Sequence, residues 1–321
     1  MRAAQVVTLT GPDDVVVNDV PEPVPGEHDV LVEVGAVGVA FPDLLMTRGQ
    51  YQIKPEPPFT LGVDVAGTVI SGGGFEPGTR VAAVGGWGGA AERALLPAAF
   101  TFPLPDELSF AEGAALPMNY LTAEFAYEQR AQLRAGETVL VHGAAGGLGT
   151  AMIQVAKGMG ATVIAVASTP EKQEFARAAG ADHAIGLDGF KDAAKELTAG
   201  VGVDVVADIV GGEVFLDSLR SLAPQGRLLV LGFAAGQGIP EVKVNRLLLT
   251  NTDVRGVGWG EYAMRRPEYM AAQWQRLLPM IAGGAVKPPI GAVYPLAEFG
   301  RALVDMDERR ALGKLVVDPT R

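Results

Sequence analysis

Hydrophobic and polar residues alternate in two different ways along the chain, and the change falls near residue 117. After that point, short apolar runs are separated by stretches whose apolar residues recur with helical spacing. The apolar runs are "ETVLVHGAA", "TVIAVAS", "DVVADIV" and "RLLVLGF". The helical stretches are "NYLTAEFAYEQRAQL", "PEKQEFARAAG" and "EVFLDSLRSLAPQG", with one more in which Met152, Ile153, Val155, Ala156 and Met159 share a face. Strands that alternate with helices in this way predict a doubly wound parallel sheet.

The predicted helix after "TVIAVAS" has clear boundary signals. Thr169 can cap its first turn, Pro170 suits the first helical position, and Gly180 can end it. Local signals and hydrophobic periodicity therefore agree for this helix.

Residues 1 to about 115 have a different pattern, in which proline and glycine separate short β-prone runs. These runs are "DVLVEVGAVGVA", "GVDVAGTVI" and "TRVAAVG". Short strands between such turns predict a compact, partly open β-barrel or sandwich. The tail from residue 287 returns to this pattern and ends in the strand-like "GKLVVDP". We therefore predict an α/β protein with a first domain over residues 1–116, completed by 287–321, and a second over 117–286.

Composition and charge narrow the class of protein. The 321-residue chain has a formal net charge of −11, which argues against nucleic acid or an anionic membrane as a main partner. It has no cysteine and three histidines, which excludes thiol catalysis and cysteine-based zinc sites and disfavours a histidine-rich metal site. No segment approaches the roughly 18 unbroken apolar residues of a membrane helix, and the N-terminus lacks the apolar core of a signal peptide. We expect a cytoplasmic protein without a metal.

The segment "GAAGGLG" follows a predicted strand and opens a predicted helix, which is the context of a dinucleotide-binding loop. Gly146 and Gly147 lack side chains where backbone amides would approach a pyrophosphate, and Gly149 allows the helix to pack closely on the strand. Ala144 stands where the first glycine of the pattern is usual, and a tight turn of any α/β protein is the alternative interpretation. We predict that the cofactor is bound by Ala145, Gly146, Gly147, Leu148 and Gly149.

The acidic residue that usually follows such a loop by about 20 residues, and binds the ribose hydroxyls of NAD, is missing. Its position falls at Ser168, whose hydroxyl can donate to a 2′-phosphate, and Lys172 in the next helix adds a positive charge. These residues predict NADPH as the cofactor. In the alternative interpretation, Ser168 caps the helix and Lys172 lies on a solvated face beside Glu171 and Glu174.

The order of these domains resembles the medium-chain dehydrogenase/reductase superfamily, and within it the zinc-free quinone oxidoreductase (zeta-crystallin-like) branch. The segments that carry the likeness are "GVAFPDLLMTRGQYQ", "PFTLGVDVAGTV", "GAALPMNYLTA", "VHGAAGGLG", "LGFAAG" and "RALGKLVV". They span nearly the whole chain. The resemblance implies a GroES-like, partly open β-barrel domain and a Rossmann domain that binds NADPH.

The chain departs from the zinc-dependent members of that superfamily. These enzymes carry a cysteine and a histidine as zinc ligands where this chain has Ala40 in "GVAFPD" and Val63 in "GVDVAG", and their cysteine-rich structural zinc lobe is absent. Alcohol oxidation is disfavoured without such a Lewis acid. The zinc-free branch commonly has asparagine at the Ala40 position, and Leu187 replaces a tyrosine that often contacts the adenosine end.

The resemblance also implies roles for single residues. Thr122 in "NYLTA" would face the nicotinamide, unless its hydroxyl only starts a helix. Val210 and Phe233 follow strands, at the carboxyl ends where open α/β sheets bind ligands, although both residue types are common in cores. Tyr51 in "RGQYQ" would face the substrate cleft and donate a hydrogen bond or proton to the substrate oxygen, unless it packs beneath its loop.

Asp43 is expected at a turn or a helix N-terminus, with a supporting role behind the site residues as the alternative. His142 is expected in the core with a satisfied hydrogen bond and His28 in a turn, and neither histidine is assigned a part in binding or chemistry.

These observations predict a zinc-independent, NADPH-dependent enzyme that transfers hydride to a small quinone or α,β-unsaturated carbonyl. One alternative is a reductase of enoyl thioesters carried on coenzyme A or a carrier protein. Another is a non-catalytic NADPH-binding protein with a structural or RNA-regulatory role, although the net charge disfavours RNA.

The segment "VKVNRLLLTNTDVRGVGWG" contains a strand candidate near the end of the second domain. By resemblance, this edge pairs across a two-fold axis, which predicts a homodimer. An ordinary last strand, covered by the following helix, is the alternative.

Overall fold

The computed structural model describes residues 1–321, which form two compact units. The first unit comprises Met1–Asn119, Arg266–Trp274 and Pro288–Arg321, and the second comprises Tyr120–Arg265 and Gln275–Lys287. The strands are β1 (Arg2–Val6), β2 (Val15–Asp19), β3 (Asp29–Gly38), β4 (Phe59–Thr60), β5 (Asp64–Gly72), β6 (Arg80–Val84), β7 (Arg93–Pro97), β8 (Thr101–Pro103), β9 (Thr138–His142), β10 (Thr162–Val166), β11 (His183–Ile185), β12 (Val203–Asp208), β13 (Leu222–Val230), β14 (Asp253–Gly256), β15 (Ile290–Pro295) and β16 (Lys314–Asp318). The helices are α1 (Phe41–Thr47), α2 (Phe110–Gly113), α3 (Pro117–Phe125), α4 (Gly147–Gly158), α5 (Pro170–Ala178), α6 (Phe190–Leu197), α7 (Val214–Ser221), α8 (Asn245–Thr250), α9 (Trp259–Ala263), α10 (Pro267–Ala282) and α11 (Phe299–Asp307).

The first unit is built on mostly antiparallel β-structure. Its larger sheet runs in the order β15-β16-β3-β5-β6-β8, with β7 also paired to β3, and a smaller sheet runs β2-β1-β4. Alternate residues of β3, among them Val30, Val32 and Val34, are buried, as expected for a sheet with one face on the core. Strand β16 pairs with β3 through Val317 opposite Val37, so the C-terminal segment is part of this sheet. This architecture confirms the predicted β-rich fold of the first unit.

The second unit contains a six-stranded sheet in the order β11-β10-β9-β12-β13-β14, and every strand pair in it is parallel. The strand order reverses between β9 and β12, which is the switch point of a Rossmann fold. Leu140, Ile164, Val206 and Leu228 form part of the core against the sheet. This arrangement confirms the predicted doubly wound parallel sheet.

The predicted helix over residues 213–226 is wrong beyond Ser221. Helix α7 ends there, and Leu222 already begins β13 opposite Val203. The chain then bulges through Pro224, which cannot continue a helix, and Gln225 at φ 66°, before pairing resumes at Arg227. Burial of Leu222 in the core outweighs the helical spacing of the sequence.

The predicted boundaries of α5 are confirmed. Pro170 is its first residue, and the Thr169 hydroxyl accepts a hydrogen bond from the Lys172 amide at 3.2 Å. The helix ends at Ala178, and Gly180 follows with φ 113°. None of the helices in the chain is both long and apolar enough to cross a membrane.

Candidate functional site

The glycine-rich loop joins β9 to α4, and it leaves the helix N-terminus without a side-chain cap. Gly146 is the N-cap residue and has no side chain to accept from the first-turn amides. The hydroxyl of Thr150 donates to the carbonyls of Gly146 and Gly147, at 3.1 and 3.0 Å, so it does not cap these amides either. The uncapped N–H groups and the positive end of the helix dipole form a candidate anion-binding site.

Close packing at Gly149 shapes this loop. A Cβ atom added to Gly149 would lie 2.1 Å from the Gly143 carbonyl oxygen and 2.8 Å from Ala144 Cα. Gly143 takes the left-handed conformation at φ 61°, so the tight turn falls one residue before Ala144. This explains how alanine is tolerated where the usual pattern has glycine, and the resulting backbone cradle fits a pyrophosphate.

The loops after β9, β12 and β13 meet at the carboxyl end of the sheet. A Cβ atom at Gly143 would lie 3.5 Å from Val210 Cγ2, and one at Gly211 would lie 3.0 Å from Phe233 Cδ1. The Ala235 amide donates to the Val210 carbonyl at 2.9 Å, which joins the second and third loops. Val210 therefore lies beside Gly143 of the glycine-rich loop, and Phe233 lies beside Gly211 in the loop after β12.

Sequence analysis missed Asp208, which holds the second of these loops. Its buried carboxylate accepts hydrogen bonds from the amides of Val210 and Gly211, at 2.9 and 2.8 Å. Burial raises the pKa of this carboxyl, and the two hydrogen bonds oppose the rise. An acid at the end of the apolar run "DVVADIV" is the signal that could have identified it.

Ser168 lies just after β10 and is exposed, with a hydroxyl that makes no hydrogen bond to another residue. Because Thr169 caps α5, the alternative in which Ser168 caps the helix is wrong. Lys172 lies in the first turn of α5 and is half-buried. Ser168 and the first turn of α5, which carries Lys172, both follow the carboxyl end of β10, the strand next to β9.

Thr122 is half-buried and lies in α3, beyond its first turn, so its hydroxyl does not start the helix. Its neighbours in the helix, Leu121 and Ala123, are fully buried.

In the first unit, Tyr51 follows α1 in a bend and is half-buried. Its hydroxyl makes no hydrogen bond to another residue. Partial burial, together with the charge of Asp43, raises the pKa of this phenol. Tyr51 is therefore a neutral hydrogen-bond donor over a wide pH range.

Asp43 lies in the first turn of α1, one of the two positions expected from the sequence, and its side chain is buried. One carboxylate oxygen accepts from the Ala40 amide at 3.0 Å and the other from the Gly62 amide at 2.9 Å. Burial raises the pKa of Asp43 to about 7, mainly because the charged form is desolvated. The side chain holds together the segments that carry Ala40 and Val63, both of them buried.

A second buried acid of the first unit, Asp64, was also missed. It pairs with the buried Lys314 ammonium at 2.7 Å and accepts from the Met118 amide at 2.9 Å. Burial raises the pKa of Asp64, and Lys314 opposes that rise. A charged residue inside each of the apolar runs "GVDVAG" and "GKLVV" is the signal in the sequence. No group of three or more histidine, cysteine, aspartate or glutamate side chains in the chain is arranged to hold a metal ion.

His142 ends β9 in the core, as expected, but only one of its ring nitrogens is hydrogen-bonded. Nε2 lies 2.8 Å from the Ser218 hydroxyl, which itself donates to the Val214 carbonyl. The Ser218 oxygen thus accepts from the ring, so the proton is on Nε2, while Nδ1 has no partner. Burial lowers the pKa of His142 to about 4, and the ring is neutral at physiological pH.

Two family models match the chain, one described as the alcohol dehydrogenase GroES-like domain, over residues 26–106, and one described as zinc-binding dehydrogenase, over residues 147–282. The chain is 38% identical over 324 residues to the quinone oxidoreductase-like protein 2 of Bos taurus, covering 98% of this chain and 92% of that protein. It is 46% identical to a probable oxidoreductase from Mycobacterium abscessus of known crystal structure, with a TM-score of 0.91 and coverage of 99% of both chains. It is also 38% identical to the quinone oxidoreductase from Thermus thermophilus, whose structure has been solved alone and in complex with NADPH. That match has a TM-score of 0.84 and covers 99% of this chain and 100% of the other.

Proposed function

Because the chain belongs to the quinone oxidoreductase branch of the medium-chain dehydrogenase/reductase superfamily, we propose that it transfers hydride from NADPH to a small quinone or α,β-unsaturated carbonyl, without zinc. The observation that carries this proposal is the uncapped N-terminus of α4 at the carboxyl end of the sheet, where Val210 lies beside Gly143 and Phe233 lies beside Gly211. Such an arrangement holds a dinucleotide by its pyrophosphate and leaves its nicotinamide beside apolar residues.

The bound cofactor supplies the hydride, and the second unit supplies its position. The loop from Ala145 to Gly149 binds the pyrophosphate through the first-turn amides of α4, and Gly149 keeps the helix close enough for them to reach it. Val210 and Phe233 pack against the nicotinamide, and the Thr122 hydroxyl orients its carboxamide. An apolar contact on the reacting ring excludes water, which protects the hydride donor.

The preference for NADPH follows from Ser168 and Lys172. A carboxylate at residue 168 would repel a 2′-phosphate, whereas the exposed hydroxyl of Ser168 donates to it. Lys172 adds a positive charge one turn into α5. The Thermus thermophilus relative, which is solved with NADPH, supports this preference.

On the substrate side, Tyr51 donates a hydrogen bond or a proton to the oxygen that gains negative charge when hydride arrives. Ala40 and Val63 stand where the zinc-dependent enzymes have ligands, and neither side chain can coordinate a metal. A quinone or an enone suits such a site, because its oxygen needs only a hydrogen bond as the enolate or phenolate forms.

We also propose that two copies associate through the edge of the second unit. β14 is the edge strand of the parallel sheet and pairs with β13 alone. The segment that precedes it exposes large apolar side chains, which are Ile239, Val244, Leu248 and Leu249. Pairing of two β14 strands across a two-fold axis would satisfy the edge and cover these side chains.

The experiment that tests the proposed function follows consumption of the reduced nicotinamide with a benzoquinone, an alkyl enone and crotonyl coenzyme A, each with NADPH and with NADH. Turnover of the quinone or enone with NADPH alone is the expected result. Turnover of the thioester only would identify an enoyl-thioester reductase. Tight NADPH binding without turnover of any acceptor would indicate a non-catalytic role.

A further inference from the structure

A buried hydrogen-bond network in the second unit joins α3 to α4. The Tyr120 hydroxyl, in α3, donates to Oε1 of Gln154, in α4, at 2.7 Å. The same oxygen accepts from the Lys287 amide, and Nε2 of Gln154 donates to the Lys287 carbonyl, each at 2.9 Å. Tyr120 is 1% and Gln154 is 7% exposed, so water does not compete for these groups.

The Gln154 amide makes three hydrogen bonds in this network. Its oxygen accepts hydrogen bonds from the Tyr120 hydroxyl and from the Lys287 amide. Its nitrogen donates to the carbonyl of the same Lys287. This pattern copies a pair of hydrogen bonds between two β-strands. Tyr120 is the first residue of the second unit and Lys287 is its last, so both ends of the unit's chain are tied to one side chain of α4.

The two helices that the network joins carry the two ends of the candidate cofactor site. Helix α4 presents the pyrophosphate-binding amides at its N-terminus, two turns before Gln154. Helix α3 carries Thr122, two residues from Tyr120 and therefore on the opposite side of the helix. Tyr120 and Glu124 share a face, and Glu124 pairs with Arg276 of α10. The contacts of Tyr120 and Glu124 thus fix one face of α3, and Thr122 lies on the opposite face.

We propose that Tyr120 and Gln154 are positioning residues for hydride transfer, which set the location of Thr122 relative to the amides of α4. The inference rests on the proposed function, because it concerns the distance between the nicotinamide and pyrophosphate ends of one bound cofactor. A small displacement of one end reduces the fraction of complexes aligned for transfer, while the phosphate contacts that dominate affinity are kept.

The chain offers a matched pair of buried tyrosines for the test. Tyr127 lies two residues beyond the end of α3, is as deeply buried as Tyr120, and has a hydroxyl with no hydrogen-bond partner. The variants Y120F and Y127F therefore remove the same atom from similar surroundings, and only Y120F breaks the network. We expect Y120F to lower kcat about tenfold, with the NADPH dissociation constant changed less than about twofold, and Y127F to match the wild type.

Hydrogen exchange of the cofactor-free protein gives a readout that does not depend on activity. The amides of α3 should exchange faster in Y120F and in Q154L than in Y127F and the wild type. Q154E, with its buried carboxyl protonated, keeps the one oxygen that accepts from Tyr120 and from the Lys287 amide, and its hydroxyl can donate to the Lys287 carbonyl. It should therefore protect α3 better than Q154L. The double variant Y120F/Q154L should lose no more activity than Q154L alone, as two members of one network require.

Equal kcat values and equal α3 exchange in Y120F and Y127F would overturn the inference. A fall in NADPH affinity with unchanged kcat would also overturn it, because that result places the network in binding and not in alignment. If Y120F does not fold, the comparison of Q154E with Q154L decides in its place. A wild-type protein that turns over no acceptor, yet shows the expected exchange pattern, would refute the proposed function while leaving the network as a structural tie of α3.

Discussion

In each unit a buried aspartate accepts hydrogen bonds from two backbone amides, but the sequence separation between the aspartate and these amides differs greatly. In the second unit, Asp208 binds the amides of Val210 and Gly211, two and three residues away. In the first, Asp43 binds the amide of Ala40 and, 19 residues away in sequence, that of Gly62. The candidate cofactor site of the second unit is therefore made of local turns at strand ends, whereas the segments that carry Ala40 and Val63 in the first unit are held by a contact between distant parts of the chain. This difference decides which features of each unit a sequence reveals.

The largest expected effect comes from closing the backbone cradle of the second unit. In G149V, the new side chain would overlap the Gly143 carbonyl, so α4 must move away from β9. We expect the NADPH dissociation constant to rise by about 100-fold or more, equivalent to about 3 kcal/mol. Calorimetric titration of the folded variant with NADPH measures this directly.

Gly258 provides the control, since a Cβ atom there would contact nothing within 4 Å. G258A should bind NADPH as the wild type does. Wild-type affinity in G149V would show that the glycine-rich loop is only a tight turn of the fold.

The same difference between local and long-range contacts explains why the cofactor-binding loop could be predicted from the sequence and the contacts of Asp43 and Asp64 could not. "GAAGGLG" predicted the loop and the helix start because the backbone conformation there depends on residues within seven positions. The links from Asp43 to Gly62 and from Asp64 to Lys314 join segments that no local pattern connects. The sequence therefore predicted a helix-terminal position for Asp43 but not its contact with Gly62, and Asp64 was missed. The end of α7 was misplaced for a related reason, because pairing of Leu222 with Val203 overrides the local helical spacing.

The buried His142 of the second unit and the buried Asp43 of the first should make the free energy of unfolding depend on pH in opposite directions. The folded-state pKa of His142 is about 4, below the ordinary 6.5, so its contribution is fully present above pH 6.5 and is lost as pH falls towards 4. The folded-state pKa of Asp43 is about 7, above the ordinary 3.8, so its contribution is present below pH 3.8 and is lost as pH rises through 7. The shifts correspond to about 3 and about 4 kcal/mol respectively.

Denaturant unfolding from pH 4.5 to 8.5 tests this contrast in the variants H142Q and D43N. Relative to the wild type, H142Q should lose less stability on acidification, and D43N should lose less as pH rises from 5 to 8. H28Q, at an exposed turn, should follow the wild-type profile. Parallel profiles for all four proteins would show that neither buried group differs in proton affinity between the folded and unfolded states.

A smaller effect is expected from restoring the missing acid. S168D places a carboxylate where the 2′-phosphate is proposed to bind, and should reduce the ratio of kcat/KM for NADPH to that for NADH by about tenfold or more. E171Q, in the same turn of α5, serves as a control for a change in local charge. An unchanged ratio in S168D would place the adenosine ribose away from Ser168.

The smallest effect on catalysis is expected at the proposed interface between copies. Leu248 is 76% exposed beside β14, and L248E should shift the protein to monomers in sedimentation while changing kcat less than about twofold. V201E alters another exposed apolar residue of the second unit and should leave assembly unchanged. A wild-type protein that is monomeric at all concentrations would rule out this interface.

The most direct test of zinc-free hydride transfer from NADPH is turnover of a benzoquinone by enzyme that has been treated with a strong chelator and analysed for residual metal. We predict the same kcat before and after treatment, and no stimulation when zinc is added back, because Ala40 and Val63 provide no ligand. Loss of activity on chelation, with recovery on adding zinc, would contradict it.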